Sequence, residues 1–468
     1  MEILSLDEIV KAFCGQIISG DRDTKIRGIS TDSRTLKPGD LFFALKGERC
    51  DGHQFVMHAM NTDAVGAVIS NEFKIEPEHK NFSVIRVKDT TTALGDLAKY
   101  YRQKLNTKII GITGSNGKTT TKEMTYHILS RFGPTAKSQK SFNNFIGVPV
   151  TIFEIENRHQ YGVLEMGTNA PGEIRRLSEI GAPDVAVIVN ISKTHLEGLG
   201  SIEGVAQAKA EILENLSKGG VFVYNADNPW CAKIANCFKG KTVGFGFSSQ
   251  AHIRCTDVKK KDKGYVFELN GHFKIPLPLP GYHNITNCLG SFAICKALGH
   301  DVCSVKDAFS SFKLPSMRIE QQRIGNITII NDAYNANPES VRAALQYLSE
   351  INAAGRKVFV CGDMLELGKE SVQLHKEIGE TVSQLNIDLL WTIGKYASEI
   401  AKAAKSSGTP ERQVISFQDV SEITATEINE LRENDIVLIK GSRGMHMENI
   451  IEKFKEFFSK RVPVHNCN

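Results

Sequence analysis

Thr113-Gly114-Ser115-Asn116-Gly117-Lys118-Thr119-Thr120 is the stretch whose reading decides the fold. An apolar run, Ile109 to Ile112, precedes it, and a helical pattern with Met124, Ile128 and Phe132 on one face follows. Strand, Gly-rich turn and helix start in that order make a phosphate cradle. Backbone N–H groups freed at the turn point at an anion, and the helix dipole favours negative charge there. Lys118 is placed to reach the β/γ-phosphates, and the Thr119 hydroxyl to ligate Mg²⁺. The segment from Thr113 to Thr120 is therefore read as a nucleoside-triphosphate site. One position departs from the usual P-loop. The first glycine, expected six residues before the lysine, is replaced by Ile112, with Gly111 and Gly114 on either side.

At 468 residues the chain is too long for one ordinary core, and several domains are expected. A hydrophobic fraction of 41% and a charged fraction of 24% are those of a soluble globular protein. No apolar run reaches the length of a membrane span, and the acidic start Met1-Glu2-Ile3-Leu4-Ser5-Leu6-Asp7-Glu8 is unlike a signal peptide. The ten cysteines contain no CxxC pair, which argues for reduced thiols and a cytoplasmic setting. A net charge of +4 is too small and dispersed to imply nucleic acid. The basic run Lys259 to Lys263 reads as a solvated hairpin tip.

Three blocks follow from the alternation of strands and helices. Residues 1–105 mix strands (Ile29 to Arg34, Asp40 to Leu45, Ala67 to Ser70, Val84 to Val87) with a closing helix, Asp89 to Leu105. Residues 106–314 carry the P-loop and further strands at Gly162 to Glu165, Val185 to Ile191, Gly220 to Asn225 and Thr242 to Phe245. That alternation predicts a mostly parallel sheet with helices on both faces. Residues 315–468 alternate again, with strands at Thr328 to Asn331, Lys357 to Cys361, Leu389 to Ile393, Val414 to Phe417 and Ile436 to Lys440. This block reads as a second, doubly wound sheet of Rossmann-like topology. It lacks GxGxxG after its first strand, so no nicotinamide cofactor is inferred. The whole is an α/β protein of three domains.

Ligands of such sheets lie outside the carboxyl ends of the strands. Glu165 ends a buried-looking strand and reads either as an ordinary strand-end charge or as a ligand for a hard cation. His195, just past the next strand, reads alone as a surface residue, and Lys209 as a solvated helix lysine. Asn143-Asn144-Phe145-Ile146-Gly147-Val148-Pro149 reads as a polar loop entering an apolar strand. His283-Asn284-Ile285-Thr286-Asn287 starts a helix, with Asn284 and Asn287 on one face; capping accounts for Asn284 but not for Asn287. Arg318 stands where the third block begins, able to reach across a cleft. Asp332 to Pro338 and Lys440 to Glu448 follow strands of that block. Five polar loops at strand ends across two sheets predict a cleft between them.

These residues resemble the Mur ligase family, the ATP-dependent amide-forming enzymes of peptidoglycan assembly. The T-G-x-N-G-K-T-T loop, N-N-x-x-G-V-P, the E-M-G strand end and H-L-E-x-x-G carry the resemblance. So do H-N-x-x-N, M-R-x-E and D-A-Y-N-A-N-P. The branch most resembled is the one that adds a D-alanyl-D-alanine dipeptide, through Asp332 to Pro338, Gly362 to Gly368 and Lys440 to Glu448. A D-N-P-R motif of the diaminopimelate-adding branch is absent from the third block; Asp227-Asn228-Pro229 is followed by Trp230 and lies in the second. Thr31 to Arg34, Pro38 to Leu45, Lys46 to Arg49 and Asp51 to His53 are similar to the family's uridine-nucleotide-binding domain. The competing readings are weaker. Folylpoly-γ-glutamate synthetase lacks that N-terminal block, and a switch or motor NTPase carries a Walker B Asp where this chain has Glu165.

The resemblance implies ATP, UDP-MurNAc-tripeptide and D-Ala-D-Ala as substrates, an acyl-phosphate mechanism, and a monomer that binds no nucleic acid and does not enter the membrane. It implies that Lys118 contacts the β/γ-phosphates within the Thr113, Gly114, Ser115, Asn116, Gly117, Lys118, Thr119, Thr120 loop. Thr119 and Glu165 would hold one Mg²⁺, and His195 and a carbamylated Lys209 a second. Asn284 and Asn287 would face the adenine, Arg318 the γ-phosphate and Asp332 the ribose. Ser33, Arg34, Lys46, Gly47, Asp51, Gly52, His53, Asn143 and Asn144 are the candidates for the UDP-substrate. Asn335, Asn337, Ser442 and Arg443 are those for the dipeptide, with Arg443 as a fork on its carboxylate. Domain closure on substrate binding is expected, since groups from two domains must meet on one nucleotide.

Overall fold

The computed structural model describes residues 1–47, 50–74 and 82–459. Glu48 and Arg49 of the Lys46-to-Arg49 stretch, Cys467, and the last residues of the third block lie outside the described residues. Three large sheets follow one another along the chain.

The first is five-stranded, in the order Gln16–Ser19, Ser83–Val87, Gly66–Ser70, Asp40–Phe43, Gly28–Ser30. Only the Gln16–Ser19 edge runs antiparallel. The strand expected at Ile29 to Arg34 stops at Ser30. Asp32 accepts a hydrogen bond from the Arg34 N–H and starts a 3₁₀ turn at Ser33–Thr35, so local capping ends the strand early. The closing helix is Thr90–Gln103, capped by Asp89.

The central sheet has nine strands, with Lys108–Thr113 between Tyr161–Glu165 and Val185–Ile188. Its parallel part ends in an antiparallel three-strand edge, Ile253–Lys261, Gly264–Leu269 and Phe273–Leu277. The Lys259 to Lys263 run sits at that hairpin tip, where Lys261 pairs with Gly264. Alternate residues of the P-loop strand point to opposite faces. Ile110 and Ile112 pack with Met124 and Ile128 of helix Lys118–Leu129 and with Leu289 and Phe292 of helix His283–Ala297. Ile109 faces the other way, toward Val148, Ile152 and Leu177. Phe132 lies beyond the end of its helix but packs on the same cluster.

Ile112 now has a physical account. It pairs with Glu165 and Val187 inside the sheet and is fully buried, so the strand runs two residues further than a glycine there would suggest. The Asn143-to-Pro149 segment differs from its reading. Gly147–Phe153 is a helix, because the Asn144 carboxamide accepts from the Ile146 and Gly147 N–H groups and Pro149 is tolerated in a first turn. Val148 and Ile152, four apart, then share the buried face.

The third sheet is ordered Glu320–Ile324, Ile327–Asn331, Ile436–Lys440, Lys357–Gly362, Leu389–Ile393, Val414–Phe417. The chain winds outward from Lys357–Gly362 and returns to Ile436–Lys440, which creates a switch point between those strands. A buried Trp391 lies at the centre of the core on one face of this sheet.

Candidate functional site

The P-loop opens where the central sheet changes winding direction, with its neighbours on either side supplying Glu165 and the His195 loop. Gly114 and Gly117 both have positive φ, and at Gly117 (φ 78°) a Cβ would stand 2.3 Å from Asn287 Oδ1. Only glycine allows the turn and the close approach of helix His283–Ala297 together. The loop is held from the next strand: Asn190 O accepts from the Ser115 N–H and Asn190 Oδ1 from the Asn116 N–H, at 3.0 and 2.7 Å.

A cavity of about 590 Å³ lies over this loop, between the central and third sheets. Ser115 to Thr120, Asn143, Asn144, Glu165, His195, Asn284, Asn287, Arg318, Asp332, Asn335, Asn337 and Arg443 all line it. Ser33, Arg34, Lys46, Gly47, Asp51, Gly52 and His53 do not. They cluster at the carboxyl ends of the first sheet's parallel strands. There Asp32 clamps the Arg34 guanidinium at 2.8 and 2.6 Å. Ser70 N–H donates to His53 Nε2, so the ring proton sits on Nδ1 and is donated to Asp51 at 2.6 Å.

Charge in the cavity is mixed: Lys118, Arg318, Lys440 and Arg443 line it together with Glu165, Glu173, Asp227, Asp332 and Glu339. Lys118 donates to Gly114 O at 2.6 Å, and burial lowers its pKa against the opposing pull of Glu165, with Arg318 adding to the fall. Arg318 donates to Thr119 Oγ1 at 2.9 Å and lies over the Tyr334 ring, 4.2 Å from its centroid. Lys209 is 1% exposed, which overturns its reading as a solvated helix lysine. Helix Ile202–Ala210 turns that side chain inward, and burial, reinforced by Lys118, holds its amine well below the ordinary lysine value. Glu165 is 1% exposed. Its Oε1 accepts from Asn143 Nδ2 at 3.0 Å, while Oε2 accepts no hydrogen bond and faces the Lys122 ammonium at 3.7 Å. A buried carboxylate oxygen without a hydrogen bond is costly unless a cation stands near it, as the Lys122 ammonium does here.

The third block meets the loop directly. Asn337 Nδ2 donates to Asn116 Oδ1 at 2.6 Å, and Asn116 Nδ2 donates to Glu339 at 2.9 Å. His195 Nδ1 lies 2.5 Å from Glu366 Oε2. Asp332 is engaged by Lys440 at 2.5 Å and accepts from the Ile319 N–H at 3.2 Å, so it braces the backbone beside Arg318. Two expectations change. Asn284 is no cap: it is buried inside the helix, donates to Pro280 O at 2.7 Å and accepts from Asn287 at 3.0 Å. Ser442 is buried outside the cavity and bonds Leu365 N–H and Ala336 O, and Arg443 pairs with Glu448 at 2.8 Å.

Sequence reasoning missed Tyr334, Glu339 and Glu366. Tyr334 and Glu366 stand inside motifs already singled out, but only the fold shows that they face Arg318 and His195.

The comparisons agree with this layout. Residues 25–102 match the Mur ligase family catalytic domain, residues 112–295 the Mur ligase middle domain, and residues 317–443 the Mur ligase glutamate ligase domain. The chain is 38% identical over 435 residues to the UDP-N-acetylmuramoyl-tripeptide–D-alanyl-D-alanine ligase of Bacillus subtilis, covering 92% of this chain and 94% of that one. It is 35% identical to the Escherichia coli enzyme of the same name, covering 93% and 95%. A crystal structure of MurF from Acinetobacter baumannii superposes with a TM-score of 0.88 at 32% identity, covering 97% of this chain and 99% of that one. MurF from Thermotoga maritima, solved in complex with ADP, gives 0.80 at 27% identity, covering 93% and 99%.

Proposed function

Since the chain belongs to the Mur ligase family, we infer that it is an ATP-dependent ligase joining D-alanyl-D-alanine to UDP-N-acetylmuramoyl-tripeptide. The observation that carries this is the convergence of Lys118, Arg318 and the Glu165 carboxylate on one cavity, drawn from two sheets. Lys118 and Arg318, brought together over the P-loop, suit a triphosphate. Helices Lys118–Leu129 and Pro338–Ser349 both begin at this cavity and add positive dipole ends.

The substrate carboxylate attacks the γ-phosphorus of ATP, the bond to the bridging oxygen breaks, and ADP leaves. The dipeptide amine then attacks the acyl phosphate carbonyl. The tetrahedral intermediate collapses, expelling phosphate and leaving the amide, with the amine proton lost. Phosphorylation converts a carboxylate, a poor electrophile, into an acyl group with a good leaving group. The protein supplies position and charge. Lys118 binds the β/γ-phosphates, and Arg318 steadies the γ-phosphate from the third block while Tyr334 stacks on it. Thr119 and Glu165 fit Mg²⁺: both line the cavity beside Lys118 and both offer oxygen, which a hard cation prefers. Among the described residues no cluster of three or more His, Cys, Asp or Glu side chains forms a metal cage, so phosphate oxygens and water would complete the shell. Bound Mg²⁺ would neutralise phosphate charge. His195 and Lys209 are the candidates for a second ion. The lowered basicity of Lys209 favours the free amine that reacts with CO₂ to form a carbamate, an oxygen ligand. Activity that drops in CO₂-free buffer and returns with bicarbonate is expected; indifference to bicarbonate removes the carbamate.

The remaining assignments follow the same reading. Division near residues 105 and 314 separates a UDP-substrate domain from the ATP-binding and dipeptide domains. Asn284 and Asn287 sit toward the adenine and Asp332 toward the ribose, while Asn335, Asn337 and Arg443 are the dipeptide candidates that face the cavity. The enzyme works as a cytoplasmic monomer; no helix among the described residues is long and apolar enough to cross a membrane. The test is phosphate release with UDP-MurNAc-tripeptides carrying lysine or diaminopimelate, offered D-Ala-D-Ala or single amino acids. Turnover with the dipeptide is expected; turnover with a single amino acid alone moves the chain to a sibling activity.

A further inference from the structure

One helical turn beyond Lys118 lies a lysine that the reaction scheme leaves without a task. Lys122 is fully buried and does not line the cavity. Its ammonium donates to Ser138 O at 2.8 Å and to Lys140 O. Two carboxylates face it, Glu123 at 3.2 Å and Glu165 at 3.7 Å. Glu123 already has a closer cation, Lys137, which also sits over the Tyr126 ring. Lys122 is therefore, with Lys118 on the cavity side, a charge that balances Glu165. A cation is tolerated in a core only when such partners surround it, so this environment is specific rather than incidental.

The two carbonyls open the loop 138–144, and the same loop returns to Glu165 twice. Ser138 Oγ accepts from the Glu165 N–H at 3.1 Å, and Asn143 Nδ2 donates to Oε1 at 3.0 Å. Lys140 holds left-handed backbone (φ 46°) while its carbonyl meets Lys122. Lys122 thus ties together the loop and the carboxylate from behind.

We infer that Lys122 is a positioning residue for Glu165. It fixes the loop 138–144 and, through Oε2, the carboxylate as one unit, so that Glu165 stays placed at the cavity for a hard cation. This rests on the ATP site proposed above, and Lys122 acts only through Glu165 and Asn143. Groups that orient a metal ligand typically change metal affinity by about 10- to 100-fold when removed.

The test is calorimetric binding of a non-hydrolysable ATP analogue to the full chain, with Mg²⁺ and with EDTA, beside thermal melts. In Lys122→Met, the Mg²⁺-dependent gain in affinity is expected to shrink by about ten-fold or more while affinity in EDTA stays near wild type. Lys122→Arg, which keeps a cation, is expected to recover most of that gain. A folded Lys122→Met protein with the full Mg²⁺ gain overturns the inference. So does equal weakening with and without Mg²⁺, which marks a structural role alone. If Lys122→Met does not fold, Asn143→Ala carries the test: a reduced Mg²⁺ gain supports the inference and an unchanged one overturns it. Wild-type protein that binds no nucleotide under either condition overturns the ATP reading instead.

Discussion

The first and central sheets meet along a seam quite unlike the one between the central and third sheets. The first seam is a helix packed on helices. Thr90–Gln103 lies against Gly147–Phe153 and Glu173–Gly181, with Leu94, Leu97 and Tyr101 joining Phe153, Ile155 and Ile180 in one apolar cluster. Tyr101 Oη donates to Ile155 O at 2.7 Å and accepts from the Glu2 N–H, and Arg102 donates to Gly181 O. The second seam runs through the cavity and is made largely of side-chain polar contacts: Arg318 to Thr119, Asn337 to Asn116, His195 to Glu366 and Lys193 to Glu370. Interdigitated apolar surface resists sliding, whereas single hydrogen bonds exchange readily with water or ligand. This contrast predicts that the first sheet travels with the central one and that the third opens and closes over the nucleotide.

The comparison can be broken in four ways, beginning with the largest effect. Lys118→Ala is expected to abolish phosphate release while leaving UDP-substrate binding nearly intact, because the first sheet's candidate residues lie outside the cavity. Parallel loss of both, measured by phosphate assay and calorimetry, would erase the division of labour. Tyr101→Ala removes a fully buried ring from the first seam and is expected to cost about 3–5 kcal/mol in urea unfolding. An unchanged midpoint would show that the seam does not hold. Arg318→Ala should lower kcat by about 10²–10³-fold with little change in stability, the signature of a charge working only on the reacting phosphate. A matching drop in melting temperature would make the second seam structural too.

The smallest effect concerns Glu8, near the first seam. A hydrogen bond from Lys104, with help from the Ser5 N–H, moves its pKa from 4.5 to about 2. Its folded value is depressed, so the stabilisation is present above the unfolded value and is lost as pH falls from about 4.5 toward 2. Both side chains are about a third exposed, which keeps the contribution below about 1 kcal/mol. Lys104→Met should therefore flatten the acid limb of a stability–pH curve in that window only. An unchanged limb would remove the pair from the account. A fifth measurement addresses the seams as a whole. Small-angle scattering should show compaction with all substrates bound, and none would deny closure at the second seam.

Much of the site was legible because its motifs are local. A strand, a turn and a helix start are contiguous, so Lys118 and Thr119 could be placed from spacing alone. Strand ends could be read the same way, which brought Glu165, Arg318 and Asp332 into view. Burial could not be read for single charged residues. Lys209 has the sequence environment of a solvated helix face, and only the packing of Ile202–Ala210 against the central sheet turns it inward. Lys122 was invisible for the same reason. Capping chemistry also misled: Asn284 looks like a cap, yet the helix starts a residue earlier and spends that amide on Pro280.

By itself the sequence determined the phosphate loop, the succession of three α/β blocks and the family they belong to. The loop and the blocks are written in neighbouring residues, through backbone geometry and hydrophobic period, and the family in the motifs by which the chain resembles it. The tertiary structure alone decided which charges are buried, which polar side chains are already engaged by one another, and which groups surround the Glu165 carboxylate. Those properties depend on groups that stand hundreds of residues apart in the chain, as Asn116 and Asn337 do, and desolvation acts only once the fold has brought them together.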